Sequence, residues 1–104
     1  MAVMEQEQLN STKKSISIEY FKAKALQREK KFEEAIIAYE TIITNPETPI
    51  TAYIRLGEIY ESLSMFDKAI KTYERGIEVS KLMFDKKTEQ FLTYSISSLL
   101  ELKK

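Results

Sequence analysis

Residues 66–77 read FDKAIKTYERGI, and residues 32–43 read FEEAIIAYETII. The two stretches are identical at 6 of 12 positions, and 34 residues separate their corresponding positions. The same offset pairs Ala23 with Gly57, so the register extends into the segment that precedes each stretch. Self-similarity at a fixed period of this length predicts a repeat architecture, in which each repeat is one supersecondary unit.

The apolar residues of both stretches recur with the period of a helix. From Phe66, apolar residues follow at i+3, i+4 and i+7, and this spacing forms one face of an α-helix. The chain holds only 2 Gly and 2 Pro, which favours long helices joined by short turns. We therefore predict an all-α fold of five helices, at about residues 14–29, 32–44, 49–62, 65–82 and 86–103.

Residue types at the helix boundaries agree with this assignment. Thr48 is predicted to be the N-cap of the third helix, with Pro49 at the first helical position. Ser64 and Asp67 have the spacing of a capping box before the fourth helix. Asp85 is predicted to cap the fifth helix.

Two glycines lie inside predicted helices, where each costs about 1 kcal/mol relative to alanine. A helix tolerates that cost when a neighbouring helix approaches its backbone closely, and both glycines fall in register with the repeat. We therefore predict close packing at small residues, with large aromatic rings beside them. The predicted packing positions are Ala23, Ala35, Tyr39, Gly57, Tyr60, Phe66, Ala69, Tyr73 and Gly76.

The composition excludes several classes of functional site. The chain has neither Cys nor His, so it lacks disulfides, thiolate metal sites, cysteine nucleophiles and histidine bases. No Gly-rich phosphate loop or calcium-loop spacing occurs. The 16 basic residues balance 16 acidic residues, which favours neither nucleic acid nor an anionic membrane as a partner. We expect no catalytic residue, no metal and no cofactor.

The beginning of the chain, residues 1–14, has neither an apolar stretch of signal-peptide length nor an arginine-rich amphipathic pattern. No run in the chain approaches the roughly 18 apolar residues that a membrane-spanning helix requires. We therefore expect a soluble cytoplasmic protein without a membrane partner.

This pattern resembles the tetratricopeptide repeat family, whose repeats are pairs of antiparallel helices, and the resemblance covers about residues 16–82. The first unit departs from the family signature at Glu19, Lys22 and Ile42. The glycine that is usual in the turn between the two helices is replaced by Lys30 or Ser64. The signature residues are Ala23, Leu26, Phe32, Ala35 and Tyr39 in the first unit, and Tyr53, Leu56, Gly57, Tyr60, Phe66, Ala69, Tyr73 and Gly76 in the second.

The resemblance implies a short right-handed superhelix of antiparallel helix-turn-helix repeats. A capping helix is expected because each repeat leaves an apolar face that a neighbour must cover, and Phe91, Leu92, Ile96, Leu99, Leu100 and Leu102 would serve. The implied organisation is a polar tail at 1–13 and a tetratricopeptide-like domain at 14–104, comprising repeat one at about 16–49, repeat two at about 50–83 and the capping helix at about 84–104.

Members of the family bind extended or helical peptides in a groove lined by the first helix of each pair. For the charged residues on that face, the alternative is an ordinary solvated surface with ion pairs at i, i+3 and i, i+4. Tyr20 can instead pack on residues 1–14. The resemblance implies a groove face of Ser17, Tyr20, Lys24, Gln27 and Arg28 from the first helix, and Thr51, Ile54, Arg55, Glu58, Glu61 and Ser62 from the third.

Some family members hold the terminal carboxylate of chaperone tails with one Lys and two Asn. This chain has Tyr20, Lys24 and Arg55 at those positions, and its only asparagines lie outside the groove face. The usual clamp is therefore not expected, although an arginine can bind a carboxylate through two hydrogen bonds.

We expect a non-enzymatic protein-interaction module of the adaptor, co-chaperone or scaffold type, which binds a peptide or partner subunit in the concave groove. The alternative is a structural subunit, or a homodimer, that is stable only within a larger complex. An enzyme is the least expected class, since paired surface carboxylates such as Glu33 and Glu34 are solvated.

Overall fold

The structure, a computed structural model, describes residues 16–103. Within these residues it has five helices and no strand, so the predicted all-α fold class is confirmed. The predicted tail at 1–13 and the first two residues of the predicted first helix lie outside the described residues. The helices are α1 at 16–28, α2 at Phe32–Ile42, α3 at Thr51–Ser62, α4 at Phe66–Leu82 and α5 at Lys86–Lys103.

The chain divides into two compact units, the first ending at Thr48 and the second beginning at Pro49. The first unit contains the α1–α2 hairpin, whose buried side chains come from one stripe of each helix. Ala23 of α1 and Ala35 and Tyr39 of α2 have no exposed surface. One large ring and two small residues are thus buried in this unit, as expected from the sequence.

The second unit contains three helices, and α4 packs against both α3 and α5. The buried residues of α4 include Ala69, Tyr73 and Gly76, and those of α5 are Leu92 and Leu99. Helix α3 buries the widest stripe of the three. Its buried residues are Ala52, Tyr53, Leu56, Gly57, Ile59 and Tyr60.

Among the nine packing positions predicted from the sequence, only Phe66 is half-buried, and the other eight are buried. Phe66 is the first residue of α4, so no preceding turn of that helix covers its ring. In the predicted capping helix, Leu92 and Leu99 are buried, whereas Phe91, Leu100 and Leu102 are exposed.

Three helices end in the same way, although none has glycine at the turn. After α1, the N–H of Lys31 donates to the carbonyl of Leu26, and the N–H of Lys30 donates to that of Gln27. This pair of bonds defines a Schellman motif, which places its C′ residue in the left-handed region. The C′ residues after α1, α3 and α4 are Lys30, Ser64 and Phe84, with φ of 62°, 58° and 55°.

Two of the predicted N-caps are wrong. Helix α3 begins at Thr51 without a side-chain cap, and the hydroxyl of Thr48 donates to the carbonyl of Ile42 at the end of α2. Ser64 does not cap α4, because the Schellman motif of α3 holds it at positive φ, whereas an N-cap residue needs extended backbone.

The third predicted cap is correct. The carboxylate of Asp85 accepts hydrogen bonds from the N–H and from the hydroxyl of Thr88, at 3.1 and 2.6 Å. These bonds lower the pKa of Asp85, because they favour its charged form. Asp85 therefore fixes the start of α5 directly after the turn at Phe84.

Candidate protein-interaction site

The α3–α4 hairpin brings its two helices together where α3 has no side chain. A Cβ atom on Gly57 would lie 2.6 Å from Cζ and 2.7 Å from Cδ1 of Tyr73. The tyrosine ring therefore lies directly on the α3 backbone and occupies the place of a side chain. On α4, a Cβ on Gly76 would lie 2.9 Å from Cδ1 of Leu92 and 3.2 Å from Cβ of Tyr53.

This packing leaves one stripe of α3 outside the core. Ile54 and Arg55 are half-buried and Glu58 is exposed, while their neighbours toward α4 are buried. We call this stripe the α3 face. It comprises Thr51, Ile54, Arg55, Glu58, Glu61 and Ser62, all of which the sequence assigned to the groove.

One member of the α3 face is tied to the hairpin. The hydroxyl of Tyr73 donates a hydrogen bond to Oε2 of Glu61. Burial raises the pKa of Tyr73 well above its usual value, and the bond to Glu61 and the carboxylate charge raise it further. Glu61 therefore has one carboxylate oxygen engaged within the hairpin, and its other oxygen remains for a partner.

Glu58 carries the other acidic charge of the α3 face. Partial desolvation raises its pKa above 4.5, the charge of Arg55 opposes this shift, and the charge of Glu61 adds to it. Arg55 thus lies close enough to Glu58 to favour its charged form. The α3 face presents one cation beside two anions on about three turns of helix.

In the first unit, the corresponding stripe is the α1 face, defined as Ser17, Tyr20, Phe21, Lys24, Gln27 and Arg28. The ammonium of Lys24 lies 5.3 Å from the ring centroid of Tyr20 and 5.3 Å from that of Phe21. A cation at this distance is attracted to the ring face. Two aromatic rings therefore hold the charge of Lys24 in place.

Tyr20 connects the α1 face to the core of its unit. Its ring meets the ring of Tyr39 edge-on, with centroids 6.2 Å apart and planes at 70°. The hydroxyl of Tyr39 in turn donates to Oε1 of Gln27 at 2.9 Å. Tyr20 is half-buried, so it supports the α1 face more than it projects from it.

Phe21 was not among the residues assigned to the groove, although 66% of its side chain is exposed. The repeat offset could have identified it, because 34 residues separate Phe21 from Arg55. Phe21 and Arg55 are therefore equivalent positions on the two faces. Phe21 gives the α1 face an apolar element about one turn before Lys24, and the exposed Arg28 follows one turn after Lys24.

Other kinds of site find no support in the described part of the chain. Residues 16–103 contain no cluster of three or more acidic residues that could hold a metal ion. None of their helices combines the length and apolar character that crossing a lipid bilayer requires. Asn45 lies outside both faces, and its side chain accepts a hydrogen bond from the N–H of Glu47 at 2.9 Å.

One family model and two solved structures resemble this chain. Residues 50–81 match the family model of the tetratricopeptide repeat. The chain is similar to a solution NMR structure of a tetratricopeptide repeat domain protein from Salinibacter ruber, with a TM-score of 0.73 and 27% identity over 81% of this chain and 85% of that chain. The chain is also similar to a crystal structure of a tetratricopeptide repeat domain protein from the same organism. The TM-score is 0.74, and the sequence identity is 27% over 84% of this chain and 98% of that chain. A search of curated proteins gave no significant match.

The matched residues 50–81 include all of α3 and nearly all of α4, the hairpin in which Tyr73 lies on Gly57. The likeness to both solved structures agrees with the predicted all-α helix-turn-helix repeats. The chain is therefore similar to tetratricopeptide repeat domain proteins, and its residues 50–81 match the repeat itself.

Proposed function

We propose that this chain is a non-enzymatic module that binds a peptide or partner subunit through the α1 face and the α3 face. Tetratricopeptide domains are generally non-catalytic modules for protein interaction, which supports the general class. Adaptor, co-chaperone and scaffold roles, and a cytoplasmic location, are parts of this proposal. So is the division into repeat one at about 16–49, repeat two at about 50–83 and a capping helix at about 84–104.

The observation that carries the proposal is the position of Lys24 over two rings. A flexible lysine normally loses side-chain entropy when it binds a partner, and a lysine already restrained loses less. The rings of Tyr20 and Phe21 restrain Lys24 before any partner arrives. The α1 face is thus organised in advance for a negatively charged group.

The neighbouring residues suggest the chemistry of the partner. Arg28 stands one turn after Lys24, and Phe21 stands about one turn before it with most of its ring exposed. A partner with a carboxylate next to an apolar side chain would satisfy both features. Aromatic and arginine side chains supply a large share of the binding energy at protein interfaces.

The α3 face suits a segment of mixed charge. Arg55 can donate hydrogen bonds to a carboxylate of the partner. Glu58 and the second oxygen of Glu61 can accept hydrogen bonds from donors of the partner. A surface that carries both positive and negative charges contributes more to binding specificity than to affinity, because a partner in the wrong register brings like charges together. We therefore assign partner selection to the α3 face.

The test combines affinity capture with direct titration. Wild type, Lys24→Glu/Arg28→Glu and Arg55→Glu chains would each be used as bait, with Lys22→Glu as the matched control. Lys22 is an exposed lysine of the same helix, outside the α1 face, and lies 3.4 Å from Glu19. A peptide from any protein lost only with the face variants would then be titrated by calorimetry.

The proposal predicts that the control binds this peptide as wild type does, whereas each face variant binds at least about tenfold more weakly. Circular dichroism would establish that all variants are folded. Equal capture by all four chains, or equal loss with the Lys22→Glu control, would contradict the proposal.

The alternative, a structural subunit or homodimer, receives support from a different surface. Helix α5 exposes Phe91, Tyr94 and Leu102 on the side away from the core. That surface shares no residue with the α1 face or the α3 face.

A further inference from the structure

Helix α5 has a row of exposed residues along its outer side. Leu92 and Leu99 face the core, and Lys103 at the end of the helix forms an ion pair with Asp67 of α4. The opposite side follows a 3–4 spacing from the turn at Phe84 to the last turn of the helix. We call it the α5 row: Phe84, Lys87, Phe91, Tyr94, Ser98 and Glu101, all exposed.

The aromatic members of the row are unusually accessible for large apolar side chains. The exposed fractions are 91% for Phe84, 51% for Phe91 and 73% for Tyr94, and Leu102 beside the row is 66% exposed. Phe84 also occupies a left-handed backbone position that favours glycine. An apolar row of this kind on a folded domain indicates an interaction surface.

The spacing of the row indicates a partner helix. Residues that alternate between steps of three and four along a helix form the seam of a coiled coil, where side chains insert between those of a facing helix. Phe91 and Ser98 take one seam position, Lys87, Tyr94 and Glu101 take the other, and Phe84 precedes the seam in the turn before α5. We propose that the partner helix is α5 of a second copy of this chain, in antiparallel orientation.

An antiparallel pairing of the row with itself brings its large residues together at the centre. With the two-fold axis between residues 92 and 93, Phe91 meets Tyr94 of the second copy, and the symmetry repeats this aromatic pair. Lys87 then lies opposite Ser98 of the second copy, where the small residue leaves space for the lysine stem. An isologous interface requires this self-complementarity.

The charges at the two ends of the row agree with the same register. Lys87 stands near the beginning of α5 and Glu101 near its end. In an antiparallel pair, the basic end of one helix lies beside the acidic end of the other. A parallel pair would instead place Lys87 against its own copy, and like charges at that position would oppose association.

The available area suits a specific but modest dimer. With about 150–250 Å² for each aromatic side chain, the exposed parts of Phe84, Phe91, Tyr94 and Leu102 amount to roughly 500 Å² per copy and about 1,000 Å² for two. Stable specific interfaces bury about 1,200–2,000 Å² in total. The buried area still needed to reach the lower end of that range would come from Lys87, Ser98 and Glu101.

Sedimentation equilibrium of the full chain, from micromolar to millimolar concentration, tests the association. The wild type is expected to shift from monomer to dimer. Phe91→Asp and Tyr94→Asp, each made alone, should weaken the dimer at least about tenfold, because a carboxylate would be buried at the aromatic pair. Ile37→Asp on α2, which replaces an equally exposed apolar residue, should leave it unchanged.

The orientation has its own test, because the chain contains no cysteine of its own. Chains with Lys87→Cys and Ser98→Cys would be mixed and mildly oxidised. The proposed register places these two positions opposite each other, so the disulfide should join unlike chains. Two copies of residue 87 would be about 16 Å apart along the axis, too far for a disulfide whose Cα atoms lie within about 7 Å.

A monomer at every concentration would overturn the proposal, and so would a dimer that resists both aspartate variants. Disulfides mainly between identical chains would overturn the antiparallel arrangement. These variants lie on α5, so their failure leaves the proposal for the α1 and α3 faces standing.

Discussion

The hydroxyl of Tyr73 donates a hydrogen bond to a carboxylate oxygen of Glu61, and the hydroxyl of Tyr39 donates to Gln27 in the same way. Both pairs join the second helix of a hairpin to the first, and 34 residues separate the corresponding positions. The repeat therefore extends beyond apolar packing to one polar contact per hairpin. The two contacts differ in charge, which makes them a matched pair for measurement.

Tyr73→Phe should destabilise the chain more than Tyr39→Phe. A hydrogen bond to a charged acceptor contributes about 1.5–3 kcal/mol, whereas one to a neutral acceptor contributes about 0.5–1.5 kcal/mol. Because Glu61 is half-buried and can regain water, we expect about 1.5 kcal/mol for Tyr73→Phe and about 1 kcal/mol for Tyr39→Phe. Urea denaturation at pH 7 measures both, and an equal or reversed order would refute the charge argument.

Gly57→Ala should lower the free energy of unfolding, although alanine favours helix by about 1 kcal/mol over glycine. The new Cβ would overlap the ring of Tyr73, and overpacking in a core costs about 1–3 kcal/mol. Gly76→Ala should cost less, because its nearest neighbour is the movable end of Leu92. Thermal unfolding of both variants gives the order, and a more stable Gly57→Ala chain would contradict the close approach.

Glycine at the left-handed turn position after α1 should raise the free energy of unfolding. Lys30→Gly relieves a backbone angle of 62°, where an L-residue carries a penalty, and we expect a gain of about 0.5–1 kcal/mol. Lys31→Gly is the matched control, because Lys31 has a φ of −86° and gains nothing from glycine. Denaturation should show the first variant stabilised and the second destabilised. Loss of stability in both would exclude the left-handed turn.

The stability effect of Glu58 should depend on pH. Its pKa is raised in the folded chain, so its ionisation opposes folding above that pKa, and this penalty vanishes as the pH falls below the unfolded value near 4.5. Glu58→Gln should therefore stabilise the chain slightly at pH 7 and lose its advantage toward pH 4. Glu78→Gln, at an exposed site on α4, controls for the change in net charge. A gain that persists unchanged at pH 4 would contradict the desolvation of Glu58.

The fold was largely predictable because its signal is local and repeated. The spacing from Phe66 to Tyr73 requires only sequence neighbours, and each predicted helix boundary lies within two residues of the structure where it is described. The cap at Thr48 was wrong because its hydroxyl bonds to Ile42, six residues earlier, a choice that depends on how the chain turns after α2.

Less of the candidate site than of the fold could be predicted from the sequence. Phe21 looks like a core residue until the neighbours of α1 are known, and only its equivalence to Arg55 indicates otherwise. The roles of Gln27 and Glu61 as acceptors depend on partners 12 residues away, although both positions carry a side-chain carbonyl in the two repeats. Surface function in this chain therefore depends on packing that the periodicity alone does not specify.

The contact between Gly57 and Tyr73 is the basis of the hairpin, and nuclear Overhauser effects measure it most directly. In the isotopically labelled chain, the account predicts strong effects between the Hα protons of Gly57 and the ring protons of Tyr73, together with upfield ring-current shifts of those Hα protons. Random-coil shifts at Gly57 and no effect to Tyr73, in a chain that is otherwise helical, would contradict it.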